Sequence, residues 1–280
     1  MQQDNNIDNS GLMTTGEHLE ELRKMLFRII GVMVCATAII FCFKDTTFDI
    51  LLAPLSSDFV TFRIINQIAA TLGVDMMHNE YNIKLISTDL AAQFMTHITT
   101  SCYLAFMLTL PYILVELFIY ISPALYEHEK RYSGLVTIII YGLFSLGLLI
   151  SYFVIFPVSF LFLATYQVDT SIENTITLTS YISTFTTLTL MMGIVFQLPV
   201  IVFTLAKIGL VDASLLKNFR RHAIIVIAVI AAVITPTSDI FTLTIVMLPI
   251  YALYEMSIFA IRGIKINEVN SDNGEEELSL

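Results

Sequence analysis

The stretch GLVTIIIYGLFSLGLLISYFVIFPVSFLFLAT, residues 134–165, contains no charged side chain from end to end. A transmembrane helix needs roughly 20 mostly apolar residues to cross about 30 Å of hydrocarbon. This stretch is long enough to do so, and it therefore decides the fold class.

Further apolar stretches of the same kind occur along the chain. Hydrophobic residues make up 56% of the 280 residues, charged residues make up 14%, and the mean hydropathy is +0.78. A water-soluble domain could not keep so much apolar surface away from solvent. The sequence predicts an all-α, polytopic membrane protein with six transmembrane helices, at 26–43, 94–121, 134–165, 181–206, 223–235 and 240–261.

The segments outside the spans predict a simple domain organisation. Residues 1–13, rich in Asn, Asp and Gln, are expected to be disordered, and 14–262 form one membrane domain whose first helix is capped by Thr14 and Glu17. The long loop 44–93 contains an amphipathic segment in which Phe62, Ile65, Ile68, Ala69 and Leu72 recur at helical spacing. Residues 263–280 form an acidic, solvated tail.

Lysine and arginine are distributed unevenly among the loops. They cluster before the first span, between the second and third, between the fourth and fifth, and after the sixth, at Arg23, Lys24, Arg28, Lys130, Arg131, Lys207, Lys217, Arg220, Arg221, Arg262 and Lys265. The other loops hold only Lys44, Arg63 and Lys84. Because short basic loops remain in the cytoplasm, both termini are expected there.

The fifth and sixth spans form an unusually short hairpin. About fourteen residues separate Arg221 from Pro236, which gives roughly 21 Å of helix at 1.5 Å per residue. The fifth and sixth spans are therefore predicted to be short, with the bilayer thinned around their turn. Counting back along the sixth span places Glu255 level with Arg220 and Arg221.

Three residues within the spans are unusual for a membrane interior. Glu116 lies near the end of the second span, where it can reach the interface or pair with a cation. Gln197 lies deeper, and Pro199 beside it predicts a kink in the fourth span. Two roles for Gln197 remain equally open, a hydrogen bond inside the bundle or a contact with a partner.

Catalytic and metal-binding patterns are not evident. The five histidines and three cysteines show no metal or disulfide spacing, and no GxSxG or HExxH motif occurs. The net charge is −10, and no basic groove interleaved with aromatic residues is present. The sequence thus predicts no enzyme, no cofactor, no metal site and no nucleic-acid partner.

Several motifs together resemble the TatC family, the multispanning core of the twin-arginine protein translocase. His18-Leu19-Glu20-Glu21-Leu22-Arg23 resembles the family's HLxELR signature, and the stretch from Pro123 to Arg131 resembles its PALYxHExR loop. Four further stretches resemble the YFxxxP, FGxxFExP, TPxxD and PxYxLYE patterns, at 152–157, 192–199, 235–239 and 249–255.

The resemblance implies a glove-shaped, six-span receptor in the bacterial cytoplasmic (inner) membrane. It would bind twin-arginine signal peptides and export folded proteins using the proton motive force. Glu21 and Glu129 would form the signal-peptide site, although local helix pairing alone favours a structural role for Glu21. The supporting cytoplasmic motif would comprise His18, Leu22, Arg23, Pro123, Tyr126 and Arg131.

The resemblance also implies partners. Gln197 and Pro199 would contact the single helix of a TatA-type protein, and possibly of a TatB-type protein, and the chain would associate with itself. The sequence departs from the family pattern at Gln197, where many relatives have Glu, and in the second span, where Val115-Glu116 replaces a Tyr-Gln pair.

Two other classes of protein also fit a six-span chain. A small proton-coupled secondary transporter would have broken helices and polar residues near mid-membrane, but several converging polar groups and internal repeats are missing. A purely structural scaffold would have no reason to place two acids at one cytoplasmic groove.

Overall fold

The computed structural model describes residues 15–72, 83–121, 133–169, 171, 174–237 and 239–262. Eleven α-helices and two short strands occur in these ranges, in the order α1 Thr15–Cys42, α2 Lys44–Leu52, α3 Val60–Thr71, β1 Leu85–Ile86, α4 Ala92–Ile121, α5 Ser133–Ile150, α6 Phe156–Thr165, β2 Ile176–Thr177, α7 Leu178–Val195, α8 Leu198–Lys207, α9 Ala213–Asn218, α10 Arg220–Ile234 and α11 Ile240–Ile261. A 3₁₀ turn at Ala53–Leu55 follows α2, and a π-helical turn at Ser151–Ile155 joins α5 to α6.

The predicted all-α membrane fold is confirmed. Within the described part of the chain, five helical stretches are long and apolar enough to cross a membrane, at Leu19–Cys42, Ala92–Phe118, Gly134–Thr165, Leu178–Lys207 and Ile240–Ile261. The remaining predicted span lies in α10, whose 15 residues give about 22 Å of helix. Because α11 has 22 residues, it is the fifth span rather than the sixth that limits how far the hairpin extends across the membrane.

The spans alternate in direction and pack around α7. This helix contacts α4, α5, α6 and α10, and α11 packs on both α8 and α10. The core consists mainly of large apolar side chains from the second half of the chain, including Phe156, Phe185, Leu188, Met192 and Ile250, and Leu51 of α2 also belongs to it. By contrast, α1 packs mainly against α4, and of its described side chains only Met25 is buried.

The loop after the first span is anchored on the third span. Pro157 has no N–H, so the carbonyl of Phe153 one turn earlier lacks its usual helical donor. The hydroxyl of Thr61 in α3 donates a hydrogen bond to that carbonyl, and the ring of Phe59 stacks on Phe153. The predicted segment thus contains the helix α3, which packs directly on the π-helical turn, with Phe62 and Ala69 buried and Ile68 and Leu72 exposed.

Two short strands join the loops that precede α4 and α7. Leu85 pairs with Ile176, and Ile86 pairs with Thr177, in a parallel arrangement. Thr177 also caps α7, because its hydroxyl accepts a hydrogen bond from the N–H of Ser180 at 3.2 Å. This pairing, which the sequence did not predict, fixes the starts of two helices that pack against each other.

The TPxxD motif caps the sixth span. One carboxylate oxygen of Asp239 accepts a hydrogen bond from the N–H of Thr242 at 2.7 Å, and the other accepts from the hydroxyl of Thr237 at 2.7 Å. Partial burial opposes ionisation of Asp239, but these hydrogen bonds outweigh it and hold the pKa of the carboxyl below its ordinary value. Asp239 is therefore ionised at neutral pH, as an N-cap facing a helix dipole requires.

Two glycines allow the third and fourth spans to approach closely. A Cβ atom on Gly147 would lie 2.8 Å from the carbonyl oxygen of Met192, and a Cβ on Gly193 would lie 2.7 Å from the ring of Phe144. No side chain fits at such distances without displacing its neighbour. The glycines thus bring α5 and α7 together about one turn before the kink in the fourth span.

Gly147→Ala is expected to destabilise the protein by about 1–3 kcal/mol, because the new methyl group meets a backbone carbonyl that cannot move independently of its helix. Gly142→Ala is the matched control, since Gly142 lies in the same helix with nothing within 4 Å of the added atom. Thermal unfolding of the detergent-solubilised protein measures both changes. Equal stability of the two variants would contradict the close packing.

Candidate functional site

The predicted site residues divide between α1 and a segment outside the described residues. Glu21, Leu22 and Arg23 lie in α1 and are exposed, and His18 lies one turn earlier in the same helix. The other predicted members, Glu129, Pro123, Tyr126 and Arg131, lie in 122–132, outside the described residues. The contact between Glu21 and Glu129 therefore remains a prediction.

The two helices that flank that segment have their adjoining ends at one end of the bundle. α4 ends at Ile121 and α5 begins at Ser133, so both ends of 122–132 are attached at the end of the bundle where α1 begins. We call this the charged end. Among the residues that the structure describes, three ion pairs lie there, Glu20 with Lys24, Arg28 with Glu116, and Arg220 with Glu255.

The first inter-span ion pair joins α1 to α4. Nη1 of Arg28 lies 3.3 Å from Oε1 of Glu116, and the hydroxyl of Tyr112 donates a 2.6 Å hydrogen bond to the same oxygen. The side chain of Glu116 is only 13% exposed, whereas that of Arg28 is 60% exposed. Of the two options that the sequence left open for Glu116, pairing with a cation is present, and the partner comes from the helix that also carries Glu21.

The second inter-span ion pair joins α10 to α11. Nη2 of Arg220 lies 2.6 Å from Oε2 of Glu255, and the hydroxyl of Tyr251 donates to Oε1 of Glu255 at 3.2 Å. The hydroxyl of Tyr254, the residue before Glu255, donates to the carbonyl of Leu216 at 2.7 Å. The prediction that Glu255 lies level with Arg220 is confirmed, and these polar contacts close the short hairpin at the charged end.

Gln197 lies at the break between α7 and α8. Pro199 near the start of α8 removes one helical N–H, and the chain kinks there as predicted. The side chain of Gln197 is buried, and its Nε2 donates a 3.2 Å hydrogen bond to the carbonyl of Ile140 in the third span. Of the two roles left open by the sequence, the hydrogen bond inside the bundle is present in the isolated chain.

The sequence does not predict the pairing of Arg28 with Glu116. Arg28 belongs to the positive charge before the first span and can pair with the acids of its own helix, whereas in the structure it is the direct partner of Glu116. Arg28 follows Glu21 by seven residues and Met25 by three, which places all three on one helix face, but this spacing does not show which helix that face meets.

Comparison with known proteins shows which family the chain belongs to. The family model for the Sec-independent protein translocase protein (TatC) matches residues 17–249. The chain belongs to the TatC family. It is 33% identical over 249 residues to TatC of Blattabacterium sp. subsp. Periplaneta americana, a match covering 87% of this chain and 92% of that relative. It is 31% identical over 264 residues to TatC of Helicobacter pylori strain J99, covering 93% and 95%.

Solved TatC structures share the fold. The crystal structure described as the twin-arginine translocase receptor TatC in DDM superposes with a TM-score of 0.68 at 29% sequence identity, and the match covers 88% of this chain and 99% of that one. As a TatC protein, the chain is a multi-pass membrane component of the Sec-independent protein translocase.

Proposed function

We propose that this TatC protein is the receptor for twin-arginine signal peptides and the core of a translocase that exports folded proteins. The observation that carries the proposal is the exposed Glu21 on α1 at the charged end, the end to which the segment holding Glu129 is attached on both sides. Two acids on separate elements can then face one short peptide.

The chemistry of the signal explains why carboxylates suit this site. A guanidinium group presents a planar fork of N–H donors, which a carboxylate accepts through two parallel, charge-assisted hydrogen bonds. A lysine ammonium has the same charge but cannot reproduce that geometry. A site built on Glu21 and Glu129 would therefore select arginine over lysine. The surrounding motif, His18, Leu22, Arg23, Pro123, Tyr126 and Arg131, would hold the two acids in position.

The proposal includes a location and an orientation. The protein lies in the bacterial cytoplasmic membrane with both termini in the cytoplasm, supported by the clustering of Lys and Arg at the charged end. Signal peptides would then arrive from the compartment in which cargo folds. Energy for transport would come from the proton motive force.

Cysteine labelling of intact cells tests the orientation. After Cys35, Cys42 and Cys102 are replaced by serine, Asp58→Cys and Glu173→Cys are expected to react with an impermeant maleimide, because both positions lie in loops predicted to be outside. Ser279→Cys is expected to react only after the cells are opened. Labelling of that variant in intact cells would contradict the orientation.

Single-span membrane proteins of the TatA type, and possibly of the TatB type, are the proposed partners, together with further copies of this chain. The fourth-span break at Gln197 and Pro199 is the proposed contact for such a helix. Because Gln197 is buried against the third span, a partner helix reaches its side chain only if the third and fourth spans separate locally there.

Gln197→Leu tests the partner contact. Loss of the hydrogen bond to Ile140 is expected to lower stability by about 1 kcal/mol, and co-purification of a TatA-type protein is expected to fall while peptide binding is retained. Gln197→Glu is expected to be tolerated only when protonated, because a carboxylate cannot donate to the Ile140 carbonyl. Normal co-purification with Gln197→Leu would leave the residue a bundle contact only.

Export of a folded reporter tests the proposed function. Cells that lack their own TatC would express this chain with its TatA-type and TatB-type partners and a fluorescent protein carrying a twin-arginine leader. The folded reporter is expected outside the cytoplasmic membrane only when this chain is present. Export that is independent of the chain would contradict the proposal, as would export of the same reporter with a Lys-Lys leader.

A further inference from the structure

The face of α1 that carries Glu21 also packs against α4. Glu21, Met25 and Arg28 follow one another at spacings of four and three residues, which aligns them along one side of the helix. Met25 is buried, and Arg28 reaches Glu116 on α4. Glu21 and Glu116 thus lie along the same interface between α1 and α4, about 10 Å apart along the helix axis by the seven residues from Glu21 to Arg28.

The two members of the Arg28–Glu116 pair are held very differently. Glu116 is 13% exposed, and the short hydrogen bond from Tyr112 fixes its carboxylate. Arg28 is 60% exposed and lies at a longer distance, 3.3 Å, from that carboxylate. The acid is therefore preorganised, while its cation sits on a long flexible stem that can turn into water.

We propose that Glu116 is a third carboxylate of the signal-peptide site, and that Arg28 occupies it in the empty protein in place of a signal arginine. The inference rests on the proposed function. Neighbouring side chains of an extended peptide point in opposite directions, so two consecutive arginines can reach acids on different elements and at different depths along the interface of α1 and α4.

Exchange of one guanidinium for another avoids an unpaired buried charge. Leaving Glu116 without a cation at the edge of the membrane would carry a large desolvation cost. When a signal arginine replaces Arg28, the carboxylate keeps a guanidinium partner throughout, and the displaced Arg28 is solvated. Arg28 thus competes with the second signal arginine for Glu116. Because an incoming side chain must displace a guanidinium, a second guanidinium is favoured over an ammonium.

The test is binding of a twin-arginine peptide and its Lys-Lys version to the detergent-solubilised full chain. Glu116→Gln keeps the shape of the side chain and is expected to weaken twin-arginine binding about tenfold, because one bond to a charged group is lost. Binding of the Lys-Lys peptide is expected to change much less. Arg28→Gln is expected to strengthen twin-arginine binding about fivefold, the effect of removing a largely exposed competitor.

Two controls separate exchange from general electrostatics. Lys24→Gln removes the same charge from the same helix, where Lys24 pairs locally with Glu20 at 2.9 Å, and it is expected to change the binding of both peptides equally and by less. In the double variant Arg28→Gln/Glu116→Gln, the gain from Arg28→Gln is expected to vanish, because its target is absent.

The outcomes distinguish this inference from the function on which it rests. If the wild-type protein does not retain the twin-arginine peptide, the proposed function fails. If the wild type retains it and Glu129→Ala loses it, but Glu116→Gln binds like the wild type, only the third carboxylate is overturned. A gain from Arg28→Gln that persists undiminished in the double variant would overturn it as well.

Discussion

Glu129→Ala is expected to weaken binding of a twin-arginine peptide by roughly ten- to a hundredfold. A hydrogen bond to a charged group contributes about 1.5–3 kcal/mol, and each 1.4 kcal/mol corresponds to about tenfold in affinity. The whole of that contribution is lost on truncation, because an alanine offers the incoming guanidinium no acceptor.

Glu21→Ala is expected to have a smaller effect, since Glu17 and Glu20 lie on the same helix and can replace it in part. The double variant is expected to show coupling, because both carboxylates serve one short motif. Peptide titrations of the wild type, both single variants and the double variant measure it. Unchanged affinity in Glu129→Ala would remove the proposed site.

Glu255→Gln is expected to lower the free energy of unfolding by about 1–3 kcal/mol, between the values for exposed and for buried ion pairs. Glu255 is 33% exposed and Arg220 is 42% exposed. Their contact closes the hairpin of α10 and α11, in which α10 is too short to be anchored by length alone. Without Glu255, the guanidinium of Arg220 is left beside hydrocarbon with no carboxylate facing it.

A matched control and a rescue accompany this prediction. Arg221 lies next to Arg220, is exposed, and forms no ion pair with the residues that the structure describes, so Arg221→Gln is expected to change stability by less than about 0.5 kcal/mol. The exchanged pair Arg220→Glu/Glu255→Arg is expected to recover part of the loss. Thermal unfolding in detergent measures each variant, and equal stability of Glu255→Gln and Arg221→Gln would contradict the role of the pair.

Much of the fold could be predicted from the sequence because membranes impose simple rules. Apolar length locates the spans, and missing N–H groups locate the kink at Pro199. Counting residues along two antiparallel helices was sufficient to place Glu255 beside Arg220, since helix rise is constant. These predictions depend on one element or on neighbouring elements.

Contacts between distant parts of the chain could not be predicted in this way. The hydrogen bond from Thr61 to Phe153 and the pairing of Leu85 with Ile176 join segments separated by about ninety residues. Neither has a local pattern, because a two-residue strand is too short to show alternation. The same reason explains why the sequence alone did not identify Arg28 as the partner of Glu116.

The candidate site was predicted as residues rather than as geometry. Glu21 was identified through the family motif, although its position in the first turns of a helix favours a local structural role. The structure adds what the motif does not contain, namely that the helix face of Glu21 packs against α4 through Met25 and leads to the pair of Arg28 and Glu116.

Retention of a twin-arginine signal peptide by the purified chain tests the central claim most directly. The detergent-solubilised wild type is expected to bind the Arg-Arg peptide and to lose at least about tenfold in affinity when both arginines become lysines, because the ammonium cannot form the two parallel bonds to a carboxylate. Equal affinity for the two peptides would contradict recognition of arginine at this site.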